Sequence, residues 1–203
     1  MLELEQKDLL IGCILGDCNV QQNGINYRVA FDHSISQLEY VKWKHLVLQP
    51  YTTPIVEYSV YDKRNHKNYK KVRFKTLTKP FFNDYYQIFY TNKVKTIPQN
   101  IHEYLKSELA LAVWYLDDGA LRTDCRGLRL HTNSFSFQEV HLLKNVLKKN
   151  FEIDCQIHKQ GKGFNIYIGT FNKQSEKFCD IIRPVVASKI PSMLYKFLKP
   201  CND

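Results

Sequence analysis

The chain has 203 residues, with 29 Lys+Arg against 20 Asp+Glu, a formal charge of +9 and a pI near 9.2; 44% of it is hydrophobic and 13% aromatic. That composition excludes a disordered or fibrous protein, and the length suits one well-packed core or two small units sharing an interface. Residues 1–101 hold 14 Lys+Arg and 9 Asp+Glu, leaving 15 and 11 for the rest, so the positive charge is distributed rather than gathered in a tail. Such a surface favours a polyanionic partner, although basicity alone also serves solubility.

In chain order, residues 3–16 read as a helix, apolar on nearly every side from Leu9 to Leu15, that stops at Asp17. Residues 17–31 read as two short strands about the turn Gln22-Asn23-Gly24, since Asn-Gly is a strong hairpin signal. A helix over 36–48 puts Leu38, Val41, His45 and Leu48 on one stripe and is ended by Pro50. Residues 54–61 and 69–76 form a second hairpin, joined by the basic loop 62–68. A helix over 79–90 leads into a linker over 91–100 that contains Lys95 and Pro98.

The order then repeats. A helix over 107–117 runs into Asp118 and Gly119, and a hairpin over 120–132 turns at Asp124-Cys125-Arg126-Gly127. A helix over 136–150 opens with Ser136 and Glu139 in a capping-box pattern. Strands at 153–159 and 164–169 flank Gly161-Lys162-Gly163, and helices over 172–186 and 191–198 close the chain. The reading is an α+β protein of two αββαββα halves, 1–101 and 102–203, repeated at an offset near 101 residues as one compact pseudo-two-fold unit.

Six cysteines, Cys13, Cys18, Cys125, Cys155, Cys179 and Cys201, include no Cys-x-x-Cys pair and sit beside no His cluster at zinc spacing. Buried thiols in a reducing compartment follow, not a disulfide frame. No apolar run reaches membrane-spanning length, and the first residues have neither a signal core nor the Arg and Ser of a transit peptide. An organelle matrix (mitochondrion or plastid) and a bacterial cytoplasm both suit these features, and no membrane partner is expected.

Strand parity sharpens the idea of a polyanionic partner. From Tyr69 to Thr76, one face gathers Tyr69, Lys71, Arg73 and Lys75, while Val72 and Phe74 face the other way. Arg129 and His131, Gln156 and His158, and Asn165 and Tyr167 alternate with apolar neighbours in the same manner. With Asn19, Gln21, Arg28, Arg64, Arg122 and Arg126 on the hairpins and their turns, these are the candidate nucleic-acid contacts. A half-exposed antiparallel sheet alternates without any ligand. An outward set rich in Arg, Lys, Asn, Gln and His, however, has the donors that read base edges and phosphates.

The chemistry concentrates at the two apolar helices. Leu10-Ile11-Gly12-Cys13-Ile14-Leu15-Gly16-Asp17-Cys18 and Leu111-Ala112-Val113-Trp114-Tyr115-Leu116-Asp117-Asp118-Gly119 both end at an acid. A carboxylate at the C-terminus of a buried helix offers a cation a formal charge and the negative end of the helix dipole together. Two copies suggest helices side by side that deliver Asp17 and Asp118 to one spot. An Asp after a helix also starts turns, and Asp117-Asp118-Gly119 is a good turn by itself. Asp117, about 100° from Asp118 around a helix, cannot aim at the same point.

Both stretches resemble the nine-residue motif of the LAGLIDADG homing endonucleases, and the chain is similar to their single-chain, two-motif members. The second copy matches better; Val113 and Asp117 stand where the motif prefers small residues, and Cys18 replaces the final glycine of the first. Gly12 and Gly16, four apart on one face, leave room for larger side chains opposite. The resemblance implies a saddle of two antiparallel sheets astride DNA, with the motif helices at its centre and Asp17 and Asp118 as the metal-binding acids. It implies a catalytic lysine beside each, Lys95 and Lys196, both 78 residues after their aspartates. An alignment through Ile97-Pro98 and Ile190-Pro191 would instead pair Lys95 with Ser188. The expected cofactor is Mg²⁺, two or more ions with Mn²⁺ able to substitute, since two carboxylates can share divalent cations that activate water and neutralise a leaving oxygen. The expected partner is double-stranded DNA with a long non-palindromic site, bound by a monomer. An intron-RNA maturase and a non-catalytic DNA-binding regulator are the alternatives on the same fold.

Overall fold

Leu4–Leu15 forms α1 in the computed structural model, which describes residues 1–197. Its start is capped by Glu3, whose backbone N–H donates to Gln6 Oε1 at 3.1 Å, and every residue from Leu9 to Leu15 is buried. The chain then lays down β1 (Asn19–Asn23) and β2 (Asn26–Ser34), with the loop one residue later than Asn-Gly suggests: Gly24, at φ +69°, and Ile25 span it. Next come α2 (Leu38–Val47), β3 (Val56–Asp62) and β4 (Lys67–Lys75), which close an antiparallel sheet of order β1-β2-β4-β3. A short 3-10 turn at Pro80–Phe82 precedes α3 (Asn83–Phe89).

Where a plain linker is expected, the chain makes a small hairpin, β5 (Tyr90–Thr91) and β6 (Val94–Lys95). Asn92 and Lys93, both at positive φ, form its two-residue loop, the geometry that matches strand twist in tight hairpins.

The second half begins with α4 (Glu108–Asp118), whose Ser107 Oγ accepts from the Ala110 N–H at 3.0 Å and whose residues Leu109 to Leu116 are all buried. β7 (Gly119–Leu121) and β8 (Leu128–His131), α5 (Phe137–Phe151), and β9 (Gln156–Gln160) and β10 (Gly163–Ile168) follow. They give a sheet of order β7-β8-β10-β9, the same topology as the first. The Ser136–Glu139 capping box is formed at the head of α5. The strand expected from Ile153 starts at Gln156; Ile153 and Cys155 are buried ahead of it. α6 (Gln174–Lys189) runs three residues past the expected end, and the last expected helix is a 3-10 turn over Pro191–Lys196. Leu198 and Cys201 lie outside the described residues.

The fold is α+β, and its centre is the contact of α1 with α4. A methyl group on Gly12 would lie 2.5 Å from the Ala110 carbonyl oxygen and 2.7 Å from Val113 Cβ; one on Gly16 would lie 2.5 Å from Asp117 Cβ. The two glycines therefore admit the two bulky departures of the second helix. Each sheet turns its apolar side to the helices: Val29, Phe31, Val72 and Phe74 in the first, and Leu128, Leu130, Ile166 and Ile168 in the second, are at most 2% exposed.

One expected stripe is displaced. On α2 the fully buried positions are Tyr40, Val41 and Lys44, with Leu48 just beyond, whereas Leu38 and His45 are only half-buried. A lysine at 0% exposure needs a countercharge close by.

Candidate active site

Asp17 follows the last turn of α1 and Asp118 ends α4, so the packing of the two helices brings both carboxylates into one electrostatic field. Burial, then the charge of Asp117, lifts the Asp17 carboxyl to about 6, against the opposing pull of Lys44, Lys196 and Lys95. Burial, then the charges of Asp17 and Asp117, lifts Asp118 to about 7, again opposed by Lys95 and Lys196. Crowded acids that hold their protons this tightly are what a shared cation would relieve.

The two lysines reach this spot by different local structures. Lys95 sits on β6, and Tyr90 fixes that hairpin to β1 by accepting from the Val20 N–H at 3.0 Å and donating to Asn19 Oδ1 at 2.9 Å. Its Nζ donates to the carbonyls of Gly16 and Cys18, both at 2.9 Å. Lys196 ends the 3-10 turn, which Tyr115 holds by donating to the Lys196 carbonyl at 2.7 Å. Its Nζ donates to the carbonyls of Leu116 at 2.6 Å, Gly119 at 3.1 Å and Asp117 at 3.5 Å. Gly16 and Asp117, Cys18 and Gly119, and the lysines themselves all repeat at an offset of 101, so the Ile-Pro alignment does not describe the centre. Each ammonium satisfies carbonyls left open at a buried helix end and stands beside that helix's terminal acid.

Asp117 points elsewhere, into the first half. Its carboxylate accepts from Lys44 Nζ at 2.7 and 3.0 Å and from the Tyr40 hydroxyl at 2.9 Å, and both charged side chains are 0% exposed. Burial works against the charge on Lys44, but Asp117 outweighs it and holds the ammonium above its usual pKa. Lys44 Nζ also lies 3.2 Å from His33 Nε2. His33 is pushed down to about 4, first by burial and then by Lys44, so it is neutral at pH 7. An ammonium can only donate, which makes Nε2 the acceptor and leaves the ring proton on Nδ1, 3.0 Å from Gln37 Oε1 and 3.8 Å from Asp17 Oδ2. Asp17, His33 and Asp117 offer three ligand atoms within 4.8 Å of one another. Lys44 already occupies the point where Asp117 and His33 converge, so a cation there would face an ammonium, and the cluster is no metal site. The acids left to bind metal are Asp17, 43% exposed at its side chain, and half-buried Asp118. Among the described residues nearby, their donors are carboxylate oxygens, the kind that hard divalent cations take.

The sheet faces away from the helices carry the other candidates. Register aligns Asn19 with Ala30 and Lys75, Gln21 with Arg28, Arg73 with Asp32 and Val56, and Lys71 with Ser34 and Tyr58. On the second sheet Arg129, Tyr167 and Gln156 share one row, and His131, Asn165 and His158 the next. Asn165 is on that face yet only 1% exposed, because its amide donates to Gln160 Oε1; it is covered rather than presented. Arg64, Arg122 and Arg126 are each in an ion pair, with Asp62, Asp124 and Glu176. The first face holds an acid that the list of basic positions omits: Asp32, which accepts from Lys71 at 2.5 Å and from the Tyr58 hydroxyl.

Sequence reasoning missed Tyr40, Lys44 and His33. The only trace of them is a lysine one step off the apolar stripe of α2.

A model of the LAGLIDADG DNA endonuclease family matches residues 7–178. The DNA endonuclease I-ChuI of Chlamydomonas applanata is 30% identical over 213 residues, 96% of this chain and 95% of that protein. The cytochrome b mRNA maturase bI2 of Debaryomyces hansenii is 30% identical over 202 residues, 96% of this chain and 74% of that protein. Among solved structures, the homing endonuclease I-WcaI bound to its DNA recognition sequence is similar at a TM-score of 0.87 and 27% identity, covering 98% of this chain and 88% of that one. No helix among the described residues is long and apolar enough to cross a membrane.

Proposed function

The chain belongs to the LAGLIDADG DNA endonuclease family, and on that premise we propose that it cuts both strands of a long, non-palindromic duplex with Mg²⁺ held at Asp17 and Asp118. The observation that carries this reading is the pair of acids at the ends of two core helices, each with a lysine on the adjoining carbonyls. Mg²⁺, or Mn²⁺ in its place, supplies an activated water and neutralises the leaving oxygen when bound. Asp17 and Asp118 hold it. Lys95 and Lys196 stiffen the helix ends that carry these acids and put positive charge beside the scissile phosphates.

Affinity comes from the basic sheet faces. Lys71, Arg73, Lys75, Arg129 and His131 contact phosphates and base edges, with Asn19, Gln21, Arg28, Gln156, His158 and Tyr167 around them and Arg64, Arg122 and Arg126 toward the hairpin ends. Halves 1–101 and 102–203 act as one pseudo-two-fold monomer. Their sheets differ, so the two half-sites differ. A reducing compartment, an organelle matrix or a bacterial cytoplasm, suits the five free cysteines among the described residues.

The test is incubation with a pooled library of long duplexes, including the uninterrupted form of any host gene that an intron carrying this reading frame occupies, in Mg²⁺ or in EDTA. Breaks at one sequence in Mg²⁺ alone are expected. The similarity to an mRNA maturase supports a second reading, with intron RNA as the partner. Retention of one structured RNA without Mg²⁺-dependent breaks in any duplex would favour it.

A further inference from the structure

The catalytic centre is symmetric in its acids and lysines but not in what stands behind them. At the offset of 101, Asp117 corresponds to Gly16, so a carboxylate enters the helix interface from one side only. Its partner is just as one-sided. The buried positions Val41, Lys44 and Leu48 of the first half have the spacing of Val140, Leu143 and Leu147 in the second, which puts a leucine where the first half has its lysine. On the same offset of 99, core residues Val29 and Phe31 of β2 match Leu128 and Leu130 of β8, and His33 matches Thr132. Thr132 is buried and donates to the Phe164 carbonyl at 2.7 Å. One side therefore has His33, Lys44 and Asp117 where the other has Thr132, Leu143 and Gly16.

We propose that His33 is a positioning residue for Asp17, locked by a Lys44–Asp117 pair that the other half lacks, and that it makes the two strand cuts unequal in rate. This rests on the endonuclease reading above. The chain of contacts is continuous: Asp117 holds Lys44 at 2.7 Å, Lys44 donates to His33 Nε2 at 3.2 Å, and the Nδ1–H on the far side of the ring stands 3.8 Å from Asp17 Oδ2. A flip of the ring would put Cε1–H in place of the Nε2 acceptor against the Lys44 ammonium and take the Nδ1–H away from Gln37 Oε1, which it meets at 3.0 Å. Asp17 thus faces, 3.8 Å away, a ring nitrogen whose N–H Gln37 holds in place, while Thr132 donates its hydroxyl to the Phe164 carbonyl. Partners that orient a metal-binding side chain from behind are worth about 10- to 100-fold in activity when removed, so an unequal backing biases the order of scission.

The experiment uses the full chain and the target that the library yields, labelled on both strands, with single-turnover rates measured for each strand in Mg²⁺. Wild type is expected to cut one strand faster. His33→Leu should slow one strand about tenfold, so that nicked duplex accumulates with binding affinity unchanged, and His33→Gln, which keeps an acceptor for Lys44 and a donor for Asp17, should recover much of the loss. Gln37→Leu, at a half-buried position, should shift the strand ratio the opposite way, because it leaves the Nδ1–H to Asp17 alone. A merely structural role for His33 would instead slow both strands together or weaken binding. Equal slowing of both strands, no change, or a Gln37→Leu shift in the same direction as His33→Leu would overturn the proposal. A wild-type chain that cuts no duplex would overturn the endonuclease reading itself.

Discussion

The two halves of the molecule agree at the centre and disagree at the periphery. Gly16 and Asp117, Cys18 and Gly119, and Lys95 and Lys196 hold equivalent places at one offset, although Lys95 arrives on a hairpin and Lys196 on a 3-10 turn. The sheets share one strand order, yet β1 to β4 run 5, 9, 7 and 9 residues against 3, 4, 5 and 6 for β7 to β10. The difference teaches which positions geometry constrains. Two acids that share a cation must be placed to within fractions of an ångström, whereas a sheet face that meets a duplex can lengthen, shorten and change side chains one row at a time.

The largest test of the shared centre is removal of one acid. On the proposed reading, in which the sheet faces supply the affinity, Asp17→Asn and Asp118→Asn should each drop double-strand cleavage below about 10⁻³ of wild type, with duplex binding retained. Unimpaired cleavage in either variant, on an agarose assay of linearised plasmid, would undo the site assignment.

The one-sided buried pair gives the next effect. Lys44→Met leaves Asp117 uncompensated at 0% exposure, and should cost about 3–5 kcal/mol in urea unfolding. Adding Asp117→Asn removes the stranded charge and should recover more than half of that loss. If the double variant is no more stable than the single, the stranded Asp117 carboxylate is not the source of the loss, and the pair does not join α2 to α4 as its geometry requires.

The different faces should answer to salt separately. Arg73, whose guanidinium lies 4.5 Å over the Tyr58 ring, and Arg129, on the second sheet, occupy different halves. Arg73→Gln and Arg129→Gln should each lower the slope of log K against log salt by about one if the contact is to phosphate, and relax choice at one position of the matching half-site if it is to a base. Fluorescence anisotropy across a salt series separates the two. A slope that neither variant moves would take these arginines off the interface.

Legibility followed the same division. The motif helices could be read because a helix buried on all sides is apolar all round, and the acids because two runs end alike. The lysines could be read only through the family resemblance, with the equal spacing of 78 residues in support, since an ammonium that caps carbonyls leaves no periodic trace. Parity placed Lys71, Arg73 and Arg129 on the outer faces correctly but could not show that Gln160 covers Asn165. Lys44 was illegible for a plainer reason. Its partner is Asp117, 73 residues away in sequence, and a charge buried by tertiary pairing is indistinguishable in sequence from one facing water.

The smallest effect, pH dependence, still distinguishes the centre from its one-sided backing. Asp17 at about 6 and Asp118 at about 7 lie above the ordinary carboxylate value, so the folded chain holds protons that the unfolded chain has released. Their contribution to stability is therefore lost as pH rises, from near the ordinary value up through 6 and 7. His33 runs the other way: at about 4 it stays neutral in the fold while an unfolded histidine, with a pKa of about 6.5, takes up a proton, so its contribution is lost as pH falls through that interval. The two partly cancel below about pH 6.5 and separate above it, where Asp118 is the main group still titrating. Without metal, the thermal midpoint should fall between about pH 6.5 and 8, and Asp118→Asn should flatten that fall more than Asp17→Asn. Millimolar Mg²⁺ should reverse it by binding the deprotonated acids, a gain that either substitution reduces. A midpoint that rises with pH across this interval in the metal-free protein would mean that the acids are not crowded as the helix packing requires.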